Sequence, residues 1–143
     1  MILFHFLLKH NQINKCPEWY SKITIKPIYE SADIVLFWDI PEYTGYEDEI
    51  ECHVLRPDGK LIIKLEKIIW ILEMSIPWIS NRKSKFIEKE EKYVNIVQRL
   101  TIDNPGFEVK QLTFIMDVLG GYSKELVTNL KYLKFTKIAI EKT

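Results

Sequence analysis

The chain has no excess of either charge: twenty Lys and Arg stand against twenty Asp and Glu among 143 residues, a formal net charge of zero. No global field draws it to nucleic acid or to an anionic membrane, so any such contact has to be local. Cysteine is nearly missing. Cys16 and Cys52 stand alone, with no C-x-x-C and no His/Cys cluster, which fits a reducing, intracellular compartment and excludes a recognisable zinc module. His5, His10 and His53 show no ligand spacing either. Apolar runs long enough to span a bilayer, about 18 residues, are absent, so no membrane partner is expected. The opening run from Met1 to Leu8 is too short for that, and it lacks the basic flank and cleavage site of a signal peptide. It reads as a truncated N-terminal helix within residues 1–18. Repeats, Ser/Gly-rich linkers and low-complexity tracts are missing too, so no internal boundary is expected and residues 1–143 read as a single domain. A hydrophobic share of 47% with 28% charged residues is enough to bury a real core.

What is present is an alternation of element types. A short helix is expected over residues 3–14, then a Pro-interrupted extended segment from Cys16-Pro17-Glu18 to Lys26-Pro27. The apolar run between Asp33 and Asp39 has the length of a buried strand. A loop follows from Pro41 to Asp48, with an extended return over Glu49 to Leu55. Two β-branched runs, Lys60 to Leu65 and Lys67 to Met74, are separated at Glu66-Lys67 as in a hairpin, and the second is expected to be the central strand. Phe86, Tyr93, Val97 and Leu100 recur with near-helical spacing, which predicts one helix from Ser84 to about Thr101, stopped by Asp103-Asn104-Pro105-Gly106. Phe107 to Val118 reads as a further strand, Leu119-Gly120-Gly121 as a turn, and Ser123 as the N-cap of a last helix to about Tyr132. The fold class is α/β: a central sheet flanked by helices.

The chemistry-bearing residues lie at element ends. Asp58 follows Arg56-Pro57, and Glu73 closes the apolar run fifteen residues on. Two acids at the ends of paired strands can hold one divalent metal. Taken alone, Pro57-Asp58-Gly59 is an ordinary turn signal, and Glu73 could end its strand at the surface. The burial expected after so apolar a run nevertheless makes a partner for Glu73 necessary. Lys85, Glu88, Lys89 and Lys92 would by themselves be a solvated helix face, and Asp39 an unremarkable strand-end acid. Trp38, Trp70, Trp78 and Phe114 are expected in the core or partly in it, rather than as base-stacking platforms.

In order along the chain stand Trp38-Asp39, Arg56-Pro57-Asp58, Glu73-Met74-Ser75-Ile76-Pro77, Glu88-Lys89-Glu90-Glu91-Lys92-Tyr93 and Val118-Leu119-Gly120-Gly121, with Trp19-Tyr20 upstream. This ordered set, over roughly residues 19–133, resembles the PD-(D/E)XK or restriction-endonuclease-like nucleases. More narrowly, it resembles the endonuclease domain of non-LTR retrotransposon polyproteins. The resemblance implies a central mixed sheet flanked by helices and a metal-dependent DNA endonuclease that nicks its target for reverse transcription. The implied cofactor is Mg²⁺ or Mn²⁺, held by Asp58, Glu73 and the backbone carbonyl of Met74. The family's lysine, two positions after the acid, is replaced here by Ser75. Lys85, Lys89 and Lys92 share a helix face, and Lys92 is the expected substitute, with Lys89 second. Glu88 and Asp39 would be accessory acids, and Arg82, Lys83 and Lys85 would contact DNA phosphates weakly and without sequence preference. Lys124, Lys131, Lys134 and Lys137 form a second modest basic cluster. The resemblance further implies a reverse transcriptase domain as partner in a parent polyprotein and a nuclear location. The alternatives are a catalytically inactive DNA-binding domain of the same fold and a protein-interaction domain.

Overall fold

The computed structural model describes residues 2–10, 12–18, 21–22, 24–45 and 53–132. Its main sheet has the strand order β1 (Ile28–Glu30), β2 (Ile34–Trp38), β5 (Gly59–Ile63), β6 (Ile68–Ser75) and β7 (Glu108–Ile115). The first four are antiparallel neighbours, whereas β7 runs parallel to β6. A parallel neighbour needs a crossover, here made by α2 (Arg82–Lys92) and α3 (Val94–Asp103). The short strands β3 (Glu42–Tyr43) and β4 (Val54–Leu55) pair with one another, and α1 (Ile2–Lys9) and α4 (Lys124–Tyr132) complete the fold. This is the expected α/β class, a five-stranded mixed sheet flanked by helices.

Strand periodicity divides the core in two. On one face Ile34, Leu36, Leu61, Trp70, Leu72, Leu112 and Phe114 pack with Leu7 of α1 and with Leu126 and Leu130 of α4. On the other, Ile69 and Ile71 pack with Tyr93, Ile96 and Leu100. Near-continuous apolar sequence in β6 is thus what burial on both faces requires.

Several boundaries differ from expectation for physical reasons. The first helix ends at Lys9 rather than residue 14, its Leu7 carbonyl taken by the Gln12 amide at 2.8 Å. β5, not β6, is the middle strand; β6 lies one place nearer the edge because β7 adds only one strand beyond it. The single helix expected over 84–101 is two, broken at Tyr93 (φ −105°, ψ 7°), whose carbonyl starts the next ladder by accepting from Val97 at 3.0 Å. Gly59 is an extended strand residue rather than the tip of a turn. A side chain there would crowd Leu72 at 3.3 Å and Trp38 at 3.4 Å, so close packing is what requires glycine. Ser123 caps α4 as expected, accepting from the Leu126 amide at 3.4 Å.

The expected loop at Pro41 to Asp48 holds an element the sequence did not announce. Glu42, only 7% exposed, ion-pairs with Lys60 of β5 and, at 2.8 Å, with Arg99 of α3. Arg99 also donates to the Tyr43 carbonyl at 2.7 Å and pairs with Asp103 at 3.1 Å. Truncating Glu42 leaves two part-buried cations facing one another, so Glu42→Ala is expected to lower unfolding free energy by about 3–5 kcal/mol. Urea denaturation measures it, and a loss under about 1 kcal/mol would show the network behaving as surface charge.

Candidate active site

Gly59 of β5 lies opposite Leu72 of β6. One step further along the antiparallel ladder, Asp58, just before β5, faces Glu73, two residues before the end of β6, on the side covered by α2 and α3. They are tied by backbone and side chain together. The Asp58 amide donates to Glu73 Oε2 at 3.3 Å, and the Met74 amide donates to Asp58 Oδ2 at 2.6 Å. Glu73 is 4% exposed, and a carboxylate so placed needs compensation. It receives three donors: the Asp58 amide, the Lys89 ammonium on Oε1, and the Tyr93 hydroxyl on Oε2 at 2.9 Å. The Tyr93 oxygen also lies 3.2 Å from the Arg56 carbonyl. Having one proton to give, it donates to the shorter, charged acceptor.

Burial, more than anything else, raises the Asp58 carboxyl above its ordinary value of 3.8; the Met74 amide pulls it back, and the Glu73 charge pushes it up again ahead of smaller effects of Lys89 and Asp39. Burial first, then the bond to Glu73, raises the Tyr93 hydroxyl above its ordinary 10.0, so it stays a neutral donor. The folded chain therefore holds the Asp58 proton more tightly than the unfolded chain. Ionising Asp58 opposes folding, and that penalty is absent below 3.8 and complete above the raised folded value. Asp58→Asn keeps an oxygen for the Met74 amide and removes the charge. It is expected to melt at a higher temperature than wild type at neutral pH, the gap closing as pH falls through that window. A less stable Asn variant at neutral pH would show that burial does not dominate.

Two carboxylates and one lysine leave the cluster one positive charge short when all are ionised. Among the described residues no three His, Cys, Asp or Glu side chains surround a common point. The available donors are the Asp58 and Glu73 carboxylates and the Met74 carbonyl. The Met74 amide points away from β7 to Asp58, and in extended backbone a residue's N–H and C=O share one edge. Such a hard, all-oxygen set with few protein ligands suits Mg²⁺ or Mn²⁺, which keep several waters.

The remaining candidates fall in different places. Lys89 reaches the acids; Lys92 does not, its ammonium lying 4.9 Å over the ring of Tyr93 on the exposed side of α2. Glu88 pairs with Lys85 at 2.6 Å and touches neither Asp58 nor Glu73. Ser75 ends β6 on the Glu73 face, its carbonyl accepting from Met116 at 3.2 Å. The Asp39 amide donates to the Asp58 carbonyl at 2.9 Å, while its side chain sits 3.5 Å from Arg56. Arg82 lies 3.6 Å from buried Asp117 rather than standing free for phosphate, whereas Lys83 is exposed. Trp70 and Phe114 are core residues and Trp38 packs against them, but Trp78 is 66% exposed because it lies past the end of β6. Trp19-Tyr20, Cys52, Lys134 and Lys137 lie outside the described residues.

Two further contacts, neither marked by a sequence motif, support the cluster. Tyr93 orients Glu73 and touches the Arg56 carbonyl, joining both acid-bearing segments. Glu90 ties α2 to β7, its carbonyl accepting from Gln111 at 2.8 Å and its carboxylate from Thr113, which lies in register with Glu73. That clamp sets the position of neighbouring Lys89.

No family model matches the chain, and no curated protein matches it. Among solved structures, an N-terminal domain of a reptarenavirus L protein is similar at 18% identity and a TM-score of 0.39, over 62% of this chain and 48% of that one. The chain thus spans about half the length of that domain, and a likeness at this level bears on neither activity nor ligand. No helix among the described residues is long and apolar enough to cross a membrane.

Proposed function

We propose that the chain is a metal-dependent nuclease of the restriction-endonuclease-like type that nicks DNA phosphodiester bonds with Mg²⁺ or Mn²⁺. The observation that carries it is the convergence of Asp58, Glu73 and Lys89, from two strands and a helix, on one part-buried cluster. Asp58, Glu73 and the Met74 carbonyl would hold the ion. When bound, it supplies Lewis-acid polarisation of the phosphoryl oxygen and lowers the pKa of water. Lys89 offers a positive charge beside the developing negative charge of the transition state, and Tyr93 and the Asp58 amide keep Glu73 from turning away. In the same reading the domain is retroelement-derived, acts beside a reverse transcriptase in the nucleus, and frees a 3′-hydroxyl for priming.

A second reading has its own support: every Glu73 oxygen and one Asp58 oxygen already have donors within the chain, so the cluster can act as a staple in an inactive DNA-binding or protein-interaction domain. Mn²⁺ titration followed by calorimetry separates the two. The nuclease reading expects binding that strengthens as pH rises through the Asp58 titration and is lost in Asp58→Ala. Purified protein that takes up no Mn²⁺ and leaves supercoiled plasmid intact would leave only the staple.

A further inference from the structure

Beyond Glu73 and Lys89 the same sheet face ends in a cavity of about 410 Å³. Its apolar walls are Phe86, Ile87 and Ile115, and Arg82 and Lys83 line it as well. Two elements lead from it toward the acid cluster. Phe86 lies one helical turn before Lys89, and Ile115 is two residues past Thr113, which pairs with Glu73. The volume falls within the range of small-ligand sites, roughly 300–1,000 Å³.

Next to the cavity, two loops hold large apolar side chains out in water. Trp78, four residues before Arg82, is 66% exposed, and Tyr122, beside the cavity residue Ser123, is 61% exposed. The loops are joined, the Val118 amide donating to the Pro77 carbonyl at 3.1 Å. They are also held in shape. Asp117, 3% exposed, accepts from the amides of Leu119 at 3.0 Å and Gly121 at 2.9 Å and lies 3.6 Å from Arg82. Any side chain at Gly121 would collide with that carboxylate, and Gly120 takes the positive φ (+82°) that the turn needs. A buried acid thus fixes a loop whose exposed residues are apolar and aromatic. Exposed aromatic rings near cations are the arrangement on which unpaired bases stack while phosphates find charge. Lys83 lines the cavity and exposed Lys124 follows Ser123 in sequence, while Arg82 is held by Asp117 and Glu125 is an exposed acid among them.

We infer that the cavity and the rings of Trp78 and Tyr122 hold unpaired nucleobases, so that the strand reaching Asp58, Glu73 and Lys89 is locally unpaired, as a supercoiled duplex can be where it opens. Bases inside a duplex present edges, not faces, to a protein, and neither cavity nor rings could engage them without unstacking. The placement beside a cleavage site rests on the nuclease reading; the binding itself does not.

Fluorescence anisotropy of a labelled short oligodeoxynucleotide, single-stranded or folded as a duplex hairpin, tests this in EDTA, where no hydrolysis competes. The single strand is expected to bind at least about tenfold more tightly than the hairpin. Trp78→Ala and Tyr122→Ala, both exposed and so harmless to folding, should each weaken the single strand about tenfold and leave the hairpin unchanged. Equal affinity for the two forms, or indifference to both aromatic substitutions, overturns the inference. So does a concentration-dependent dimer abolished by those substitutions, which would assign the surface to a second copy. Single-strand binding that depends on Trp78 in a protein that never nicks would uphold it while removing hydrolysis.

Discussion

Glu73→Gln is expected to lower the nicking rate of supercoiled plasmid by about a thousandfold, some 4 kcal/mol of transition-state stabilisation. The side chain keeps its size and an oxygen for the Tyr93 hydroxyl and the Asp58 amide. What it loses is the negative charge that would bind a divalent ion and that now pairs with Lys89. Lys89 is 19% exposed along its side chain, enough for the ammonium to swing to water once unpaired. The cost in folding is accordingly about 1–3 kcal/mol, which leaves the variant folded. Plasmid nicking and thermal melting on one preparation separate the two effects. A folded Gln variant that nicks like wild type would end the enzymatic proposal. Asp58→Asn makes the complementary case, with comparable loss of nicking but a higher melting temperature at neutral pH, since the two substitutions relieve and create opposite imbalances. In the proposed nuclease, a carboxylate that opposes folding would be kept for function at a cost in stability.

The sheet was legible because its signals are local. β2, β5 and β6 are apolar, β-branched runs bounded by charged or turn residues, and their order follows from the hairpin at Lys64 to Lys67. The pairing of Asp58 with Glu73 was legible for the same reason, since a hairpin register carries strand ends together. The helix broke where a tertiary bond overrode periodicity: Tyr93 continues the apolar stripe of Phe86, so nothing in the spacing marks the turn that lets its hydroxyl reach Glu73. The choice between Lys89 and Lys92 was readable but needed a different criterion. Phe86 and Tyr93 mark the inward side of α2, and Lys89, three residues after Phe86 and four before Tyr93, shares it, while Lys92 stands about 100° away from Tyr93. Grouping lysines with lysines gave their common stripe; grouping them with the buried aromatics gives the one that turns inward. Glu42 had no such signal. It lies in a polar loop stretch, and the Lys60 and Arg99 that bury it are far away in sequence. Trp78 was misplaced because aromatic residues usually fill cores, and only the end of β6 at Ser75 shows that the chain has already left the sheet.

Lys89→Ala is expected to have the second largest effect, and in two directions at once. Removing the ammonium strands the Glu73 carboxylate at 4% exposure with only the Tyr93 and Asp58 donors, a loss of about 3 kcal/mol without metal. Nicking falls about a hundredfold, as for other single charge-stabilising donors. Metal binding, however, should improve. Lys89 and a divalent ion would both neutralise the Glu73 carboxylate, so they would compete, and deleting the lysine would give the ion undivided access. Mn²⁺ is expected to bind the Ala variant about tenfold more tightly, about 1.4 kcal/mol, and to raise its melting temperature more than that of wild type. A purely structural staple predicts the loss of stability but no gain in metal affinity, so the sign of the Mn²⁺ effect decides between them. Lys92→Ala supplies the control: its ammonium lies over Tyr93 on the exposed side of α2, so stability should change by less than about 0.5 kcal/mol and nicking should be untouched. A silent Lys89→Ala beside an inactive Lys92→Ala would reverse the assignment and require α2 to rotate when substrate binds.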